Sequence, residues 1–334
     1  MKILVVSSDR TGDDHVAINL GDALLTDALV QALRARGHSP LVADFGHERH
    51  GDGEPRLKLD GVASLVRAVR AADAVIIGGG TLLQDDGPKH GLGGLPRLCA
   101  TVVGVAKATG TPVGFYAVGC DPVERFLPKM LLRFAVHNVP VFVRETTSAE
   151  RVNGQLRGTA HVGADASLLL SHRTAPATEG GPLVLTLNRK HAAAVTAEHV
   201  SALRAKYGSV VFLNMSQSGD GLTDSAAVEP AALALFDRVT STLSWPEAES
   251  IIAGASAVVG SRMHALYASM LLGRPMVAVS DLPKVVTFAT EFEVPRVGSI
   301  AEVSSVEPRL ANDGVLSAAT SRAVKSLDDL LAAL

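Results

Sequence analysis

Cysteine and long apolar runs are both scarce in this sequence. The two cysteines, Cys99 and Cys120, are too few for a disulfide framework and are expected to be reduced thiols packed as small apolar side chains. The apolar run in the N-terminal stretch MKILVVSSDR is too short for a signal peptide, and no segment provides the roughly 18 uninterrupted apolar residues of a membrane span. These observations predict a cytoplasmic protein without an integral membrane segment.

The sequence also lacks an excess of charge of either sign. It carries 31 Lys and Arg against 34 Asp and Glu, which gives a net charge of -3 at pH 7. No global basic field therefore favours binding to nucleic acid or to an anionic membrane, although a local cationic pocket is compatible with this balance. Its 334 residues, 47% of them hydrophobic, are sufficient for a large core and favour two domains.

Common cofactor and catalytic motifs are missing as well. The first apolar run is not followed by G-x-G-x-x-G, and the sequence contains no G-x-x-x-x-G-K-[ST]. It contains no H-E-x-x-H, no paired C-x-x-C and no G-x-S-x-G. A dinucleotide fingerprint, a P-loop, a zinc site and a nucleophile elbow are therefore all unsupported.

Short apolar runs alternate with amphipathic stretches along the whole chain. These runs are KILVV, PLVADF, AVIIGGG, PVGFYAV and PVFVRE in the first half, and LVLTLN, VVFLNM, RVTST, AVVGS and PMVAVS in the second. Uninterrupted apolar runs indicate strands that are covered on both faces, and the alternation of strand and helix is typical of parallel sheets. The pattern predicts an α/β protein with doubly wound parallel sheets.

A change in composition divides this pattern in two. The segment 171–182, SHRTAPATEGGP, is poor in large apolar residues and is predicted to be a linker between an N-terminal domain, 1–170, and a C-terminal domain, 183–334. The phrases RAADAVIIGGG and AGASAVVGSR, one in each half, both read as a helix end, a buried strand and a glycine. We therefore predict two Rossmann-like domains that face a shared cleft at the carboxyl ends of their strands.

Arg262 and His264 lie where an apolar strand changes into a helix, in GASAVVGSRMHALYASMLLGRP. A helix N-terminus favours anions, a guanidinium can bind phosphate or carboxylate through two hydrogen bonds, and an imidazole can transfer protons. The pair therefore predicts an anion site that contains a proton-transfer group. The alternative is structural: His264 would be a hydrogen-bonded core residue, and Arg262 would pair with a nearby carboxylate.

Other candidate residues follow predicted strands. Each also has an ordinary structural explanation, such as a helix cap, a tight turn or a surface cation. They are Asn19 and Asp22 in INLGDALL, Gly79, Gly80 and His90 in GGGTLLQDDGPKH, Arg144 in VFVRETTSAERV, Met263 between Arg262 and His264, and Lys284 in SDLPKVV. Their repeated position at strand ends favours a single site along the cleft.

The ordered set of segments NLGDALL, ADAVIIGGGTLLQD, GFYAVGCDP, VFVRETTSAE and AVVGSRMHALYASMLLGRPMVAVSDLPKV resembles the polysaccharide pyruvyl transferase family, from about residue 1 to about residue 292. Members of this family move pyruvate from phosphoenolpyruvate to sugar hydroxyls, commonly as a ketal. The resemblance implies a GT-B-like pair of Rossmann-like domains and a reaction that requires no metal and no organic cofactor.

Carried over residue by residue, the resemblance makes His264 the acid/base residue and Arg262 and Arg144 contacts to phosphoenolpyruvate. It places Asp22 and the glycine turn at 78–80 on the first-domain side of the cleft. Asn19, Met263, His90 and Lys284 are predicted as further substrate-binding residues. This chain departs from the family in its longer, more acidic segment SSDRTGDDHVAI and in AVGCDP, both on the predicted acceptor side.

The resemblance leaves the acceptor and two other functions open. A polymer repeat, a lipid-linked oligosaccharide, a secondary cell-wall sugar or a small glycosylated metabolite would each present a diol, and the acceptor could be lipid- or nucleotide-linked. The low aromatic content of 4% favours a small or activated acceptor. A GT-B-like glycosyltransferase that uses a nucleotide sugar would share this architecture, as would a non-catalytic sugar-binding member. Nucleic acid is not an expected partner, and the sequence does not specify an oligomeric state.

Overall fold

The computed structural model of the chain describes residues 1–12, 15–46, 49, 56–87, 93–170, 180–217, 221–241 and 244–334. His90 and most of the predicted linker 171–182 lie outside the described residues.

The described part of the first half forms a seven-stranded sheet in which every pairing is parallel, in the order β3-β2-β1-β4-β5-β6-β7. Its strands are β1 Lys2–Val6, β2 Ser39–Asp44, β3 Arg56–Lys58, β4 Ala74–Gly78, β5 Val113–Val118, β6 Val141–Val143 and β7 Ala160–Val162. The helices are α1 Leu20–Ala35, α2 Val62–Arg70, α3 Gly94–Thr109, α4 Phe126–Val136 and α5 Thr146–Arg151.

A second parallel sheet, six-stranded over the residues that the structure covers, has the order β10-β9-β8-β11-β12-β13. Its strands are β8 Leu183–Thr186, β9 Val210–Phe212, β10 Arg238–Val239, β11 Ala257–Gly260, β12 Met276–Val279 and β13 Arg296–Val297. The helices are α6 Arg189–Ala192, α7 Ala197–Tyr207, α8 Pro230–Leu233, α9 Trp245–Ala253, α10 Met263–Leu271, α11 Pro283–Glu291 and α12 Asp313–Ala333.

The prediction of two Rossmann-like, doubly wound sheets is confirmed. The order in which successive strands are added reverses at one point in each sheet, between β1 and β4 in the first sheet and between β8 and β11 in the second. The two echoed phrases form β4 and β11, which take the same place in their sheets. Ligands in open α/β folds bind outside the carboxyl ends of the strands at such reversals.

An apolar core joins the two halves across their interface. Leu20 and Leu24 of α1 pack in one buried cluster with Leu168, and with Leu266 and Tyr267 of α10. The backbone of segment 18–20 also pairs with segment 215–217: Leu20 donates to Met215 at 2.9 Å, and Gln217 donates to Ile18 at 2.9 Å. Because a large apolar interface restricts relative motion, the cleft is held in place by the core below it.

The long C-terminal helix α12 returns to the first sheet. The Tyr116 hydroxyl on β5 donates to the carbonyl of Ala323 at 2.8 Å, and Leu327 and Leu330 are buried against the first sheet. This helix therefore follows the second sheet in sequence but packs on the first. No helix in the described ranges is both long and apolar enough to cross a membrane.

Candidate active site

A cavity of about 490 Å³ lies between the carboxyl ends of the two sheets. Both halves of the chain contribute side chains to its wall. The lining includes Ser8, Asn19, Asp22, Thr81 and Arg144 from the first half, and Asn188, Ser261, Arg262, Met263, His264 and Lys284 from the second. The predicted candidates from both sheets therefore meet in one place.

His264 lies in the first turn of α10, directly after the β11 strand end. Its side chain is 14% exposed. The ring occupies space that a glycine on the opposite helix leaves free, because a Cβ at Gly21 would come within 2.9 Å of the ring Cγ and closer still to Nδ1. Gly21 in α1 therefore allows α1 and α10 to approach closely enough to hold this imidazole at the cavity wall.

Asp165 is the carboxylate beside His264, and sequence reasoning missed it. It is 2% exposed, and its Oδ1 accepts hydrogen bonds from the amide and hydroxyl of Ser167, at 3.0 and 2.7 Å. The other oxygen, Oδ2, lies 3.9 Å from His264 Nε2 and 3.6 Å from Arg144 Nη1. Neither Oδ2 nor Nε2 has a hydrogen-bond partner among the described residues.

Burial lowers the pKa of His264 to about 4. The Asp165 carboxylate opposes this shift, while the cations of Arg144, Lys284 and Arg262 add to it. The imidazole is therefore neutral around pH 7 and available to accept a proton. Arrival of an anionic ligand among these cations would offset their effect and raise the pKa.

Arg144 follows strand β6 and is 5% exposed. Its Nη2 donates to the Thr81 hydroxyl at 3.1 Å, while Nε and Nη1 have no hydrogen-bond partner within the described part of the chain. Gly119, after β5, makes room for this side chain, because a Cβ there would lie 3.0 Å from Nη2. A buried guanidinium with unused donors at a cavity wall is suited to bind an anion.

Arg262, the N-cap residue of α10, forms a bidentate ion pair with Asp224 through Nε and Nη2. Asp224 is 1% exposed and also accepts from the Met215 amide at 3.3 Å. The structural alternative for Arg262, an ion pair with a nearby carboxylate, therefore holds for one edge of its guanidinium. The side chain is still 29% exposed and lines the cavity, so Arg262 and Arg144 face the same space.

The comparisons with known proteins agree with this architecture. The model of the polysaccharide pyruvyl transferase family matches residues 19–281. The chain belongs to this family. The matched region begins at Asn19, the N-cap of α1, and ends just after β12. It therefore includes Gly21, which leaves room for the His264 ring. The sequence matches none of the curated proteins with which it was compared.

Solved structures of similar fold include UDP-GlcNAc 2-epimerases. The enzyme from Neisseria meningitidis, bound to UDP-GlcNAc, is 11% identical with a TM-score of 0.59, and the match covers 100% of both chains. The enzyme from Rickettsia bellii is 9% identical, TM-score 0.56, covering 100% of this chain and 96% of the other. The enzyme from Methanocaldococcus jannaschii is 11% identical, TM-score 0.55, covering 97% and 93%. At these identities the likeness shows the fold alone, and that fold is GT-B-like.

Asn19 and Asp22 form the first-sheet side of the cavity in this family member. Asn19 caps α1, since its Oδ1 accepts from the Gly21 amide at 2.9 Å, so the ordinary capping role holds. Part of Asp22 reaches the cavity, but burial and then the nearby Asp9 carboxylate raise the pKa of Asp22 to about 6. Asp22 is therefore a second group that can carry a proton near neutral pH.

Gly79 and Gly80 lie one layer behind the cavity wall rather than in it. Both have positive φ, 76° and 80°, which favours glycine at this turn. A Cβ on Gly80 would lie 3.0 Å from the Asp22 carboxylate, and one on Gly79 would lie 2.9 Å from Leu25. The turn therefore supports the first turn of α1 and, through it, Asp22.

Met263 and Lys284 occupy the second-sheet side of the cavity. Met263 is 7% exposed and lines the wall beside His264. Lys284, in the first turn of α11, is exposed towards the cavity; desolvation by the surrounding walls, and then the Arg144 cation, lower the pKa of Lys284. Among the described residues, no group of three His, Cys, Asp or Glu side chains is placed to hold a metal ion.

Proposed function

We propose that this protein transfers the pyruvyl group of phosphoenolpyruvate to two hydroxyls of a sugar, forming a cyclic ketal and releasing phosphate. The observation that carries the proposal is the convergence of three cations, Arg144, Arg262 and Lys284, with a buried neutral imidazole on one cavity. Phosphoenolpyruvate carries a carboxylate and a phosphate, so it needs two anion clamps and a proton carrier near its reacting carbons.

The proposed reaction balances without a co-reactant. One sugar hydroxyl attacks C2 while the C3 methylene is protonated and becomes a methyl group. The C2–O bond to phosphate breaks with its electron pair on the oxygen, and the second hydroxyl closes the ketal. Of the two hydroxyl protons, one ends on C3 and the other on the released phosphate. The scheme therefore uses no metal and no organic cofactor.

The two arginines have different tasks in this scheme. Arg144 has two unused, buried donors and can form new charge-assisted hydrogen bonds on binding. Arg262 is oriented through one edge by Asp224 and offers the rest of its guanidinium to the cavity, beside the N-terminus of α10. Lys284 adds a third positive charge, from an exposed side chain at the cavity wall.

His264 is the proposed proton carrier for the attacking hydroxyl and C3. It is neutral in the free protein because of the lowered pKa, so it acts first as a base. Trianionic phosphoenolpyruvate then favours the protonated ring, which becomes the acid. Asp22, on the first-sheet side of the cavity and with its raised pKa, is the group that we propose for the acceptor hydroxyls. Use of phosphoenolpyruvate, a cytoplasmic metabolite, would agree with a cytoplasmic location, which we propose for this protein.

The test is a phosphate-release screen with phosphoenolpyruvate against a panel of sugars, nucleotide sugars and lipid-linked sugars, with the product mass checked for a pyruvyl ketal. His264→Ala should reduce turnover by roughly 100-fold to 10,000-fold. His161→Ala is the matched control, because this exposed histidine stacks on Phe142 outside the cavity. Release of a nucleoside diphosphate, or acceptor binding without turnover, would contradict the proposal.

A further inference from the structure

Helix α4 exposes an apolar stripe that nothing in the described chain covers. The exposed fractions are 78% for Phe126, 53% for Leu127, 43% for Met130 and 46% for Phe134. Residues 126, 130 and 134 follow one another at intervals of four, so they line one face of the helix. The opposite face is already used, since Leu132, Ala135 and Val136 are buried in the core of the first half. Four large, exposed, apolar side chains on one short helix indicate an interaction surface.

The two helices at the stripe carry charge of one sign, while Asp121 and Glu124 lie in the segment that precedes α4. Helices α3 and α4, which pack side by side, carry four cations and no acidic residue: Arg97, Lys107, Lys129 and Arg133. The Lys107 ammonium lies 5.1 Å from the centroid of the Phe134 ring, so a positive charge directly adjoins the stripe. This local basic face is hidden in the overall net charge of -3.

We infer that this stripe, with the cations of α3 and α4, docks the protein on an anionic lipid surface. Apolar side chains that enter the headgroup boundary, flanked by Lys and Arg, are the combination that binds such surfaces. A second copy of the chain would bring two sets of four cations together, which opposes a symmetric dimer through this face. Helix α4 has 11 residues, so it lies in the interface and does not span the bilayer.

The stripe begins close to the mouth of the cavity. Asp121, which lines the cavity, lies five residues before Phe126 in the sequence. Arg125, directly before α4, is paired with Asp85, the neighbour of the cavity residue Asp86. Docking through α4 would therefore hold the cavity near the headgroups. If the proposed function holds, this position favours an acceptor sugar linked to a membrane lipid.

Binding is measured by co-sedimentation of the full chain with vesicles of equal parts phosphatidylglycerol and phosphatidylcholine, and with vesicles of phosphatidylcholine alone. We expect the wild type to bind the anionic vesicles more strongly, and this binding to weaken as salt is added. The double variant Phe126→Ser with Phe134→Ser should bind at least about tenfold more weakly for each ring lost. Lys129→Gln should weaken binding to the anionic vesicles only.

Val62→Ser is the matched control, because Val62 is 61% exposed on α2 and is not part of the stripe, so its replacement should leave vesicle binding unchanged. The double variant should also keep its melting temperature and its turnover of water-soluble acceptors, so that loss of vesicle binding is separate from the chemistry. Absence of vesicle binding, equal binding to both compositions, or a stripe whose loss only converts a dimer to a monomer would each overturn the inference. A protein that binds vesicles but transfers no pyruvate would contradict the proposed function alone.

Discussion

Replacing His264 with asparagine tests whether this imidazole is held neutral in the folded protein. Asparagine retains polar character but cannot titrate. The folded pKa of His264 is about 4, against 6.5 for an ordinary histidine, so between these values the unfolded chain binds a proton that the folded chain does not. The free energy of unfolding of the wild type therefore falls as the pH is lowered through this window, whereas the variant lacks this contribution.

The size of the effect follows from the two pKa values. Between pH 7 and pH 5 the unfolded histidine becomes almost fully protonated, while the folded one stays mostly neutral. Between pH 7 and pH 5 the free energy of unfolding of the wild type therefore falls by about 2 kcal/mol through His264, and that of the Asn variant does not. Asp22 acts with the opposite sign, because its pKa is raised on folding, but it is present in both proteins and cancels in the comparison.

The assay is urea unfolding of both proteins at pH 7, 6 and 5. Phosphate release is measured on folded protein from the same preparations. We expect the stability difference to shift by about 2 kcal/mol in favour of His264→Asn on acidification, with turnover nearly abolished at every pH. A difference that stays constant with pH, or an Asn variant that retains turnover, would refute the assignment of a buried, neutral and catalytic His264.

Three further variants test how the wall holds its charged groups. Gly21→Ala should fold but lose roughly 100-fold in turnover, because the new Cβ forces the His264 ring to move; an unchanged rate would show that its position is not critical. Gly119→Ala should displace Arg144 instead and mainly raise the KM for phosphoenolpyruvate, so a fall in kcat alone would argue against a binding role. Asp165→Asn should move the acid limb of the kcat/KM profile to lower pH, since the Asp165 charge raises the pKa of His264; a fixed limb would exclude this coupling.

Much of the fold can be predicted because strands buried on both faces leave a strong local signal. The runs that form β4 and β11 are fully buried and contain no interrupting polar residue, so strand and helix alternate visibly in the sequence. The placement of Arg144, Arg262 and His264 in one cavity follows from the rule that the carboxyl ends of parallel strands share an edge.

The partners of these residues are not predictable from local pattern. Asp224 lies 38 residues before Arg262, in a short 3-10 helix, and only the tertiary fold brings the two together. Asp165 caps another short 3-10 helix, and in sequence it resembles an ordinary capping residue. The available signal for Asp165 in the site was its position shortly after β7. That strand ends at the same edge of the sheet as β6, which directly precedes Arg144.

The sequence pattern predicts two domains joined by a linker at 171–182, but it does not show that helices from both halves of the chain share apolar cores. Leu20 and Leu24 look like the apolar face of a helix that belongs to the first sheet, but they pack into the core that contains α10. Helix α12 makes the reverse exchange, since its Leu327 and Leu330 pack on the first sheet. Burial of apolar surface does not distinguish which sheet a helix covers, so the apolar pattern alone does not predict that α1 packs into the core that contains α10.

The shared core explains how the site can keep polar groups that lack partners. Arg144, Asp165 and His264 each bury at least one polar atom without a hydrogen bond inside the described chain, and each such atom costs about 1–3 kcal/mol. An isolated pair of domains could relieve this cost by opening the cleft. Here, opening would expose the apolar contacts of α1 with α10, so the closed arrangement is favoured. The cations and the imidazole are therefore held in place without a ligand, and the proposed anionic substrate would gain the hydrogen bonds that the described chain leaves unmade.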